Sequence, residues 1–224
     1  MTKGLTGNQL KLIAMVTMTV DHIGHILFPH LLLLRLVGRL AMPIYAFFIA
    51  EGCRYTHSMA GYLRSMALMG LLCSAVSFCA GSLHQSILVT FSLSILLIFL
   101  LQKAGNTKQV WWYLLFAATL GAVWFVTEIL PGLLPGTDFD VDYGFWGVIL
   151  PVAVWLMPKK PYQLLAAAGV MLVMALLNVY QWYAFGALVL LALYNGQRGK
   201  WKLKWLFYWY YPAHLAILHL LAMV

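Results

Sequence analysis

Long apolar runs separated by short polar stretches fill the chain from residue 10 to its end. They fall at 10–29, 36–52, 61–80, 86–102, 110–130, 144–157, 162–179, 181–194 and 205–224. A helix rises about 1.5 Å per residue, so roughly twenty apolar residues cross a hydrocarbon core of about 30 Å. The runs at 144–157 and 181–194 are short, and fit as tilted, re-entrant or neighbour-buried segments. Between the runs lie the turn and charge signals: FPHLLLLR, RYTHSMAG, AGSLHQ, QKAGNTK, LPGLLPGTDFDVD, MPKKP and NGQRGKWKLK. The pattern predicts an all-α integral membrane protein of about nine transmembrane helices, organised as one domain over residues 1–224.

Composition narrows the class further. Hydrophobic residues make up 63% of the chain and charged residues 9%, against roughly 25% charged in soluble domains. The opening MTKGLTGNQLKLIAMV has the outline of a signal peptide, but Asp21 and His22 interrupt its apolar core, so it reads as a retained first span. Cys53, Cys73 and Cys79 sit in apolar segments without metal-ligand spacing, and read as buried, inert thiols.

Charge supplies an orientation. Of 14 lysines and arginines, all but Arg35 and Arg39 fall before the first span or in alternate loops: Lys3 and Lys11, Arg54 and Arg64, Lys103 and Lys108, Lys159 and Lys160, then Arg198, Lys200, Lys202 and Lys204. Glu128, Asp138, Asp140 and Asp142 fall on the opposite side. The positive-inside rule then predicts a cytoplasmic N-terminus and an outer C-terminus. A net charge of +8 spread over every basic loop matches topology and anionic lipid, and predicts no nucleic-acid partner. Aromatic clusters at Trp111–Tyr113, Tyr180–Tyr183 and Trp201–Tyr211 read as interfacial belts.

The stretch TVDHIGHILFP sets Asp21, His22 and His25 inside the first apolar run. Steps of about 100° per residue put all three on one face, and Arg39 of the second span lies opposite if the two helices are antiparallel neighbours. Arg35 and Arg39, four apart, share a face. Ionisable groups inside a membrane are costly unless paired or hydrated, and mark function by default. The plain alternative is an Asp21–Arg39 pair that only locks two helices. Lys11 and His22 are eleven residues apart, which returns to within roughly 20° of one face across a rise of about 16 Å. That spacing suits a long anionic cofactor with its reactive end at the imidazole. His30, His57 and His84 read as solvated loop residues, and Glu51 as a local partner of Arg54. His214, near Pro212 in the last run, either lines the same cavity or is a hydrogen-bonded buried residue. Asp21, His22 and His25 also share the face a metal site needs, but no fourth ligand pattern accompanies them, and no metal is expected.

LKLIAMVTMTVDHIGHILFP, LRLVGRLAMPIYAFFIAEGCRYT and DYGFWGVIL resemble the TraX family, named for a conjugative-plasmid protein that acetylates the N-terminus of pilin. TraX proteins look like compact relatives of the transmembrane acyltransferases. In that wider group a basic residue, ten intervening residues and a histidine recur in the first helix, as Lys11 to His22 do here. A paired-arginine motif also recurs there; Arg35-Leu-Val-Gly-Arg39 is one residue wider. FYWYYPAHLAIL is similar to the Tyr-rich, His-bearing last helix of such enzymes.

The resemblance implies a bacterial inner-membrane acetyltransferase. It would use cytoplasmic acetyl-CoA as co-substrate and act on an amine or hydroxyl at the outer face, above all the N-terminus of a pilin or similar envelope protein. On that reading His22 is the general base. Asp21 and His25 tune or relay its proton, and Arg39 with Arg35 stabilises developing negative charge or orients the acceptor. Lys11, Arg54 and Arg64 meet the cofactor's phosphates. Asp142, Tyr143 and His214 are expected to shape the acceptor site. The rivals are a small transporter or channel using the same polar cavity, and an assembly factor without chemistry.

Overall fold

A computed structural model describes residues 4–201 and 203–222; Lys3 and Lys202, counted above toward the cytoplasmic side, lie outside the described residues, as do the last two residues of the final run. The described chain is all helical apart from two isolated backbone bridges. Each of the nine apolar runs overlaps helix, the 36–52 run being divided between two helices. Among the described residues, five helices are long and apolar enough to cross a membrane: Leu32–Tyr55, Met59–Cys79, Ile87–Thr107, Val110–Leu133 and Lys160–Leu177. Gly144–Leu156 and Val179–Ala192 are shorter, as their run lengths predict.

The chain forms two compact units, one of residues 1–48 and 159–224, the other of residues 49–158. The first unit opens with α1, Gly7–Ile26. A capping box starts it: Thr6 Oγ1 accepts from the Gln9 amide, and Gln9 Oε1 accepts from the Thr6 amide. The amides of Gly7 and Asn8 donate to the carbonyls of Gln197 and Arg198 at 2.8 and 2.9 Å, so a distant loop satisfies donors that a helix start leaves unpaired. Leu5 bridges to Tyr194, and Lys160 Nζ donates to the carbonyls of Ala192 and Tyr194. Three segments that the charge pattern assigns to one side thus meet at one end of this unit.

Next come α2, Leu32–Gly38, and α3, Ala41–Tyr55, separated by a break at Arg39 and Leu40. The leucine run of FPHLLLLR was expected in a connection, yet Leu32 to Leu34 lie on α2. Pro29 ends the preceding segment, and leucine is a strong helix former, so the helix restarts before Arg35. After Phe48 the chain leaves this unit, and returns as α9, Lys160–Leu177, a 3₁₀ turn at Val179–Phe185, α10, Gly186–Ala192, and α11, Lys204–Ala222. The packing of α1 on α2 depends on two glycines. A Cβ at Gly38 would overlap the Asp21 side chain, and one at Gly24 would stand 2.6 Å from Leu34 Cβ. Small residues here let the two backbones close up, which brings Asp21 within reach of the arginines.

The second unit contains α4, Met59–Cys79, and α5, Ile87–Thr107, followed by α6, Val110–Trp124. A π turn at Phe125–Ile129 leads into α7, Leu130–Leu133, and α8 is Gly144–Leu156. On α5, Thr90 and Ser94 are fully buried and donate to the carbonyls of Asp142 and Val148, at 2.7 and 2.8 Å. The π turn places Glu128 near the end of the membrane-length helix Val110–Leu133, within the run expected for it, where its Oε1 accepts from the Phe145 amide at 2.8 Å. A carboxylate at a helix N-terminus satisfies an orphan donor and complements the helix dipole. Cys53 and Cys73 are buried as expected, whereas Cys79, the last residue of α4, is exposed.

The connections of this unit hold a latch. Asp138 accepts from the Leu83 amide at 2.8 Å and from the Ser82 hydroxyl, while Gln85 exchanges backbone hydrogen bonds with Asp140 and Asp142. The Ser82 hydroxyl, and after it the Leu83 amide, hold the Asp138 carboxyl below its ordinary value of 3.8. Because the folded group binds its proton less readily than the unfolded one, the latch is intact above the ordinary carboxylate range and is lost as pH falls through the lowered value. Amide exchange at Leu83 is therefore expected to stay slow near neutrality and to accelerate on acidification, with Asp138→Asn fast throughout. Equal exchange in both proteins at neutral pH would exclude the latch.

Candidate functional site

The buried chemistry of the first unit gathers where α1, α2 and α11 pack. Arg39 Nη2 donates to both Asp21 carboxylate oxygens, at 3.1 and 3.5 Å, and Arg35 Nε stands 3.5 Å from Asp21 Oδ1. One carboxylate thus faces two guanidinium groups. The Arg39 and Asp21 side chains are 12% and 17% exposed, so neither charge is fully hydrated and the pair is partly desolvated. With neutral histidines the cluster keeps one excess positive charge, which suits an anion or a developing oxyanion.

Arg35 also fixes a proton. Its Nη1 lies 2.9 Å from His25 Nδ1, and guanidinium only donates. His25 Nδ1 must therefore carry the lone pair, leaving its proton on Nε2. His25 is exposed and terminates the polar face of α1.

His22 points to α11. Its Nδ1 lies 2.8 Å from His214 Nε2, and the two rings tilt together with centroids 4.9 Å apart. His214 is buried, and its Nδ1 lies 2.9 Å from the Tyr210 carbonyl. Tyr211 stands edge-on to both imidazoles, and Tyr210 stacks on His214. Thr19 donates its hydroxyl to the Met15 carbonyl, which leaves the Tyr210 hydroxyl as donor to Thr19 Oγ1 at 2.7 Å. Of the two readings left open for His214, the hydrogen-bonded buried one describes it, with His22 as the partner.

Lys11 lies one arm's length down α1. Its ammonium sits 4.9 Å from the Phe48 ring centroid and 5.8 Å from that of Phe207, and the Tyr45 hydroxyl donates to its carbonyl. Aromatic faces attract a cation and hold it in place without neutralising it.

Asp21, His25, Arg35 and Arg39 are therefore one hydrogen-bonded and ion-paired group, and His22 with His214 a second, adjacent to it along α1 at the Asp21–His22 step. Lys11 stands apart from both on α1, and the remaining expected site residues are built into the second unit. Arg54 pairs with Glu51 at 3.3 Å, as its spacing predicts. Its Nη2 also donates to the carbonyls of Val154, Trp155 and Met157 at 2.6–2.7 Å, bracketing the C-terminal end of α8. The guanidinium expected at cofactor phosphates is thus committed to carbonyls a helix end leaves unpaired. Arg64 stands exposed in the second turn of α4. Asp142 and Tyr143 form the turn into α8: the Asp142 backbone bonds Gln85 and Thr90, and Tyr143 caps the helix with φ +63°. His30, His57 and His84 are exposed.

Sequence reasoning missed Tyr210, Tyr211 and the aromatic cage of Lys11. The tyrosines were read as part of an interfacial belt. The spacing of Tyr210 to His214, one helical turn, was the available signal.

Five helices of membrane length, and a group of ionisable side chains packed among helices, define a polytopic membrane protein. Its sequence matches the TraX protein family over residues 6–222, and the chain belongs to that family. It is 28% identical over 234 aligned residues to a protein named probable fimbrial assembly protein FimC, serogroup H1, of Dichelobacter nodosus, covering 94% of this chain and 93% of that one. It is also 51% identical over 39 residues to the uncharacterized protein RP591 of Rickettsia prowazekii, a stretch that covers 17% of this chain and 16% of that one. No solved structure matches it.

Proposed function

We propose that this protein is a membrane-embedded acetyltransferase. It moves an acetyl group from cytoplasmic acetyl-CoA to an amine or hydroxyl at the outer face, with the N-terminus of a pilin or similar envelope protein as the favoured acceptor. The single observation that carries this reading is His22 itself: an imidazole on the same helix as a caged lysine eleven residues away, hydrogen-bonded to a second buried histidine, beside two arginines that share one carboxylate. Family membership supports the class of reaction, and the name of the Dichelobacter relative supports an acceptor in a surface fibre.

In this reading His22 takes the acceptor's proton as it attacks the thioester. Arg39, with Arg35, faces the charge that develops on the carbonyl oxygen. Lys11 binds cofactor phosphate as a point charge. Acetyl-CoA supplies the activated acetyl group, and the chain supplies the base, the positive field and the path between the two faces.

The same proposal places the protein in the inner membrane with nine crossing segments, a cytoplasmic N-terminus and an outer C-terminus. The meeting of Leu5, Tyr194 and Lys160 at one end of the first unit supports that alternation. Cysteine labelling from either side is expected to find Lys103 and Lys159 cytoplasmic and Asp138 outside. Asp138 and Lys159 on one side would remove a crossing.

The division of labour is testable by calorimetric titration with CoA. Lys11→Glu is expected to weaken binding by at least tenfold, because it sets an anion where a phosphate-facing cation stood. Arg39→Ala is expected to leave CoA binding within about threefold while impairing transfer, as an interaction made only in the transition state does. The reverse pattern would move the phosphate site to the arginines.

A further inference from the structure

The acetyltransferase reading names His22 as a base but leaves open what makes its imidazole basic at the right atom. The hydrogen bonds answer this from the inside outward. A backbone carbonyl can only accept, so His214 Nδ1, 2.9 Å from the Tyr210 carbonyl, carries a proton. A buried neutral imidazole then has its lone pair on Nε2. That nitrogen lies 2.8 Å from His22 Nδ1, so His22 donates, with its own proton on Nδ1. Its lone pair is left on Nε2. The neighbouring His25 has the opposite tautomer, because Arg35 donates to its Nδ1.

We propose that His214 is the positioning residue of the reaction: it holds His22 in the Nδ1–H tautomer and keeps that bond as His22 becomes an imidazolium. This rests on the acetyltransferase reading and reassigns His214 from the acceptor site. The free amine or hydroxyl attacks the thioester carbonyl, its bond to the acyl carbon forms and the carbon–sulfur bond breaks. The nucleophile's proton passes to His22 Nε2 and leaves from the same atom to the departing thiolate, giving the acetylated acceptor and free thiol.

The pair does not conduct the proton further. Passing the Nδ1 proton to His214 would leave an imidazolium whose other nitrogen faces backbone carbonyl, Tyr210's at 2.9 Å, and a carbonyl takes no proton. His214 works as a neutral acceptor, in the place a carboxylate holds in a serine-protease triad. Neutrality suits the surroundings: a carboxylate exists one residue away at Asp21, but Arg35 and Arg39 hold it. The Tyr210–Thr19 bond and the edge-on Tyr211 ring fix the angle of the His214 ring.

Two readouts test this. The first needs no activity: ¹⁵N spectra of the purified protein with labelled histidine, assigned with His22→Ala and His214→Ala. They are expected to show His22 protonated on Nδ1 and unprotonated on Nε2. The opposite tautomer overturns the proposal. The second compares two variants in acetyl transfer. His214→Leu is expected to lower kcat roughly 10²-fold or more with CoA binding kept, the scale of losing a competent base. His214→Gln, whose side-chain oxygen still accepts from His22 Nδ1, is expected to recover at least tenfold of that loss. If folded His214→Leu turns over within threefold of wild type, or glutamine does no better than leucine, His214 is not a positioning residue. Absence of thioester-dependent transfer by the wild-type protein defeats the acetyltransferase reading instead, while the tautomer result stands on its own.

Discussion

Replacing His22 by alanine is expected to lower acetyl transfer by about 10²–10⁴-fold, the range that a positioned general base contributes. CoA binding should persist, since the phosphates are assigned to Lys11, on the same helix but about 16 Å away by helical rise. The protein should also stay folded. His22 is only part of the buried network, and its loss leaves His214 Nε2 as an orphaned acceptor, a cost of about 1–3 kcal/mol. A variant within threefold of wild type would remove His22 from the chemistry, whatever its effect on stability.

Asp21→Ala is expected to have the largest effect on folding. It leaves the two guanidinium groups of Arg35 and Arg39, both on the α2 side of the α1–α2 contact, without their shared counter-ion. Breaking a buried pair costs about 3–5 kcal/mol, and the partial exposure of these side chains, 12% to 36%, argues for the lower end, roughly 3. Thermal unfolding in detergent should show a large fall in midpoint. Removing Arg39 as well, in Asp21→Ala with Arg39→Leu, should restore part of it, because the repulsion goes with the second charge. A loss below about 1 kcal/mol for the single variant would mean that solvent, not Asp21, neutralises the arginines.

The Asp21–Arg39 contact was legible in the sequence for a physical reason. Few charges occur in this chain, and a carboxylate and a guanidinium in neighbouring apolar runs have little besides each other to pair with. The helical steps then fixed the shared face of Asp21, His22 and His25. Lys11 was legible in position but not in company: Phe48 and Phe207 come from helices whose rotation no period in the sequence reveals. The His22–His214 bond spans 192 residues, and the last run holds two histidines, His214 and His219, neither of which carries a mark of a partner. Arg54 shows the opposite failure. Its sequence neighbourhood revealed the Glu51 pair, yet its main acceptors are backbone carbonyls about a hundred residues on, and a carbonyl has no sequence signature. The leucines before Arg35 were misassigned because a proline and histidine precede them, although the four leucines themselves favour helix.

The central question is whether the polar group at α1, α2 and α11 joins a donor on one face of the membrane to an acceptor on the other. Sealed proteoliposomes with the protein in one orientation, acetyl-CoA labelled in its acetyl group on the cytoplasmic side and a pilin N-terminal peptide on the other, measure this directly. The expected result is labelled acetyl-peptide on the peptide's side and free CoA on the donor's side, both formed about 10²-fold or more slowly with His22→Ala. No labelled peptide under these conditions, with the same peptide acetylated only when both substrates share a side, would contradict transfer through the intramembrane site.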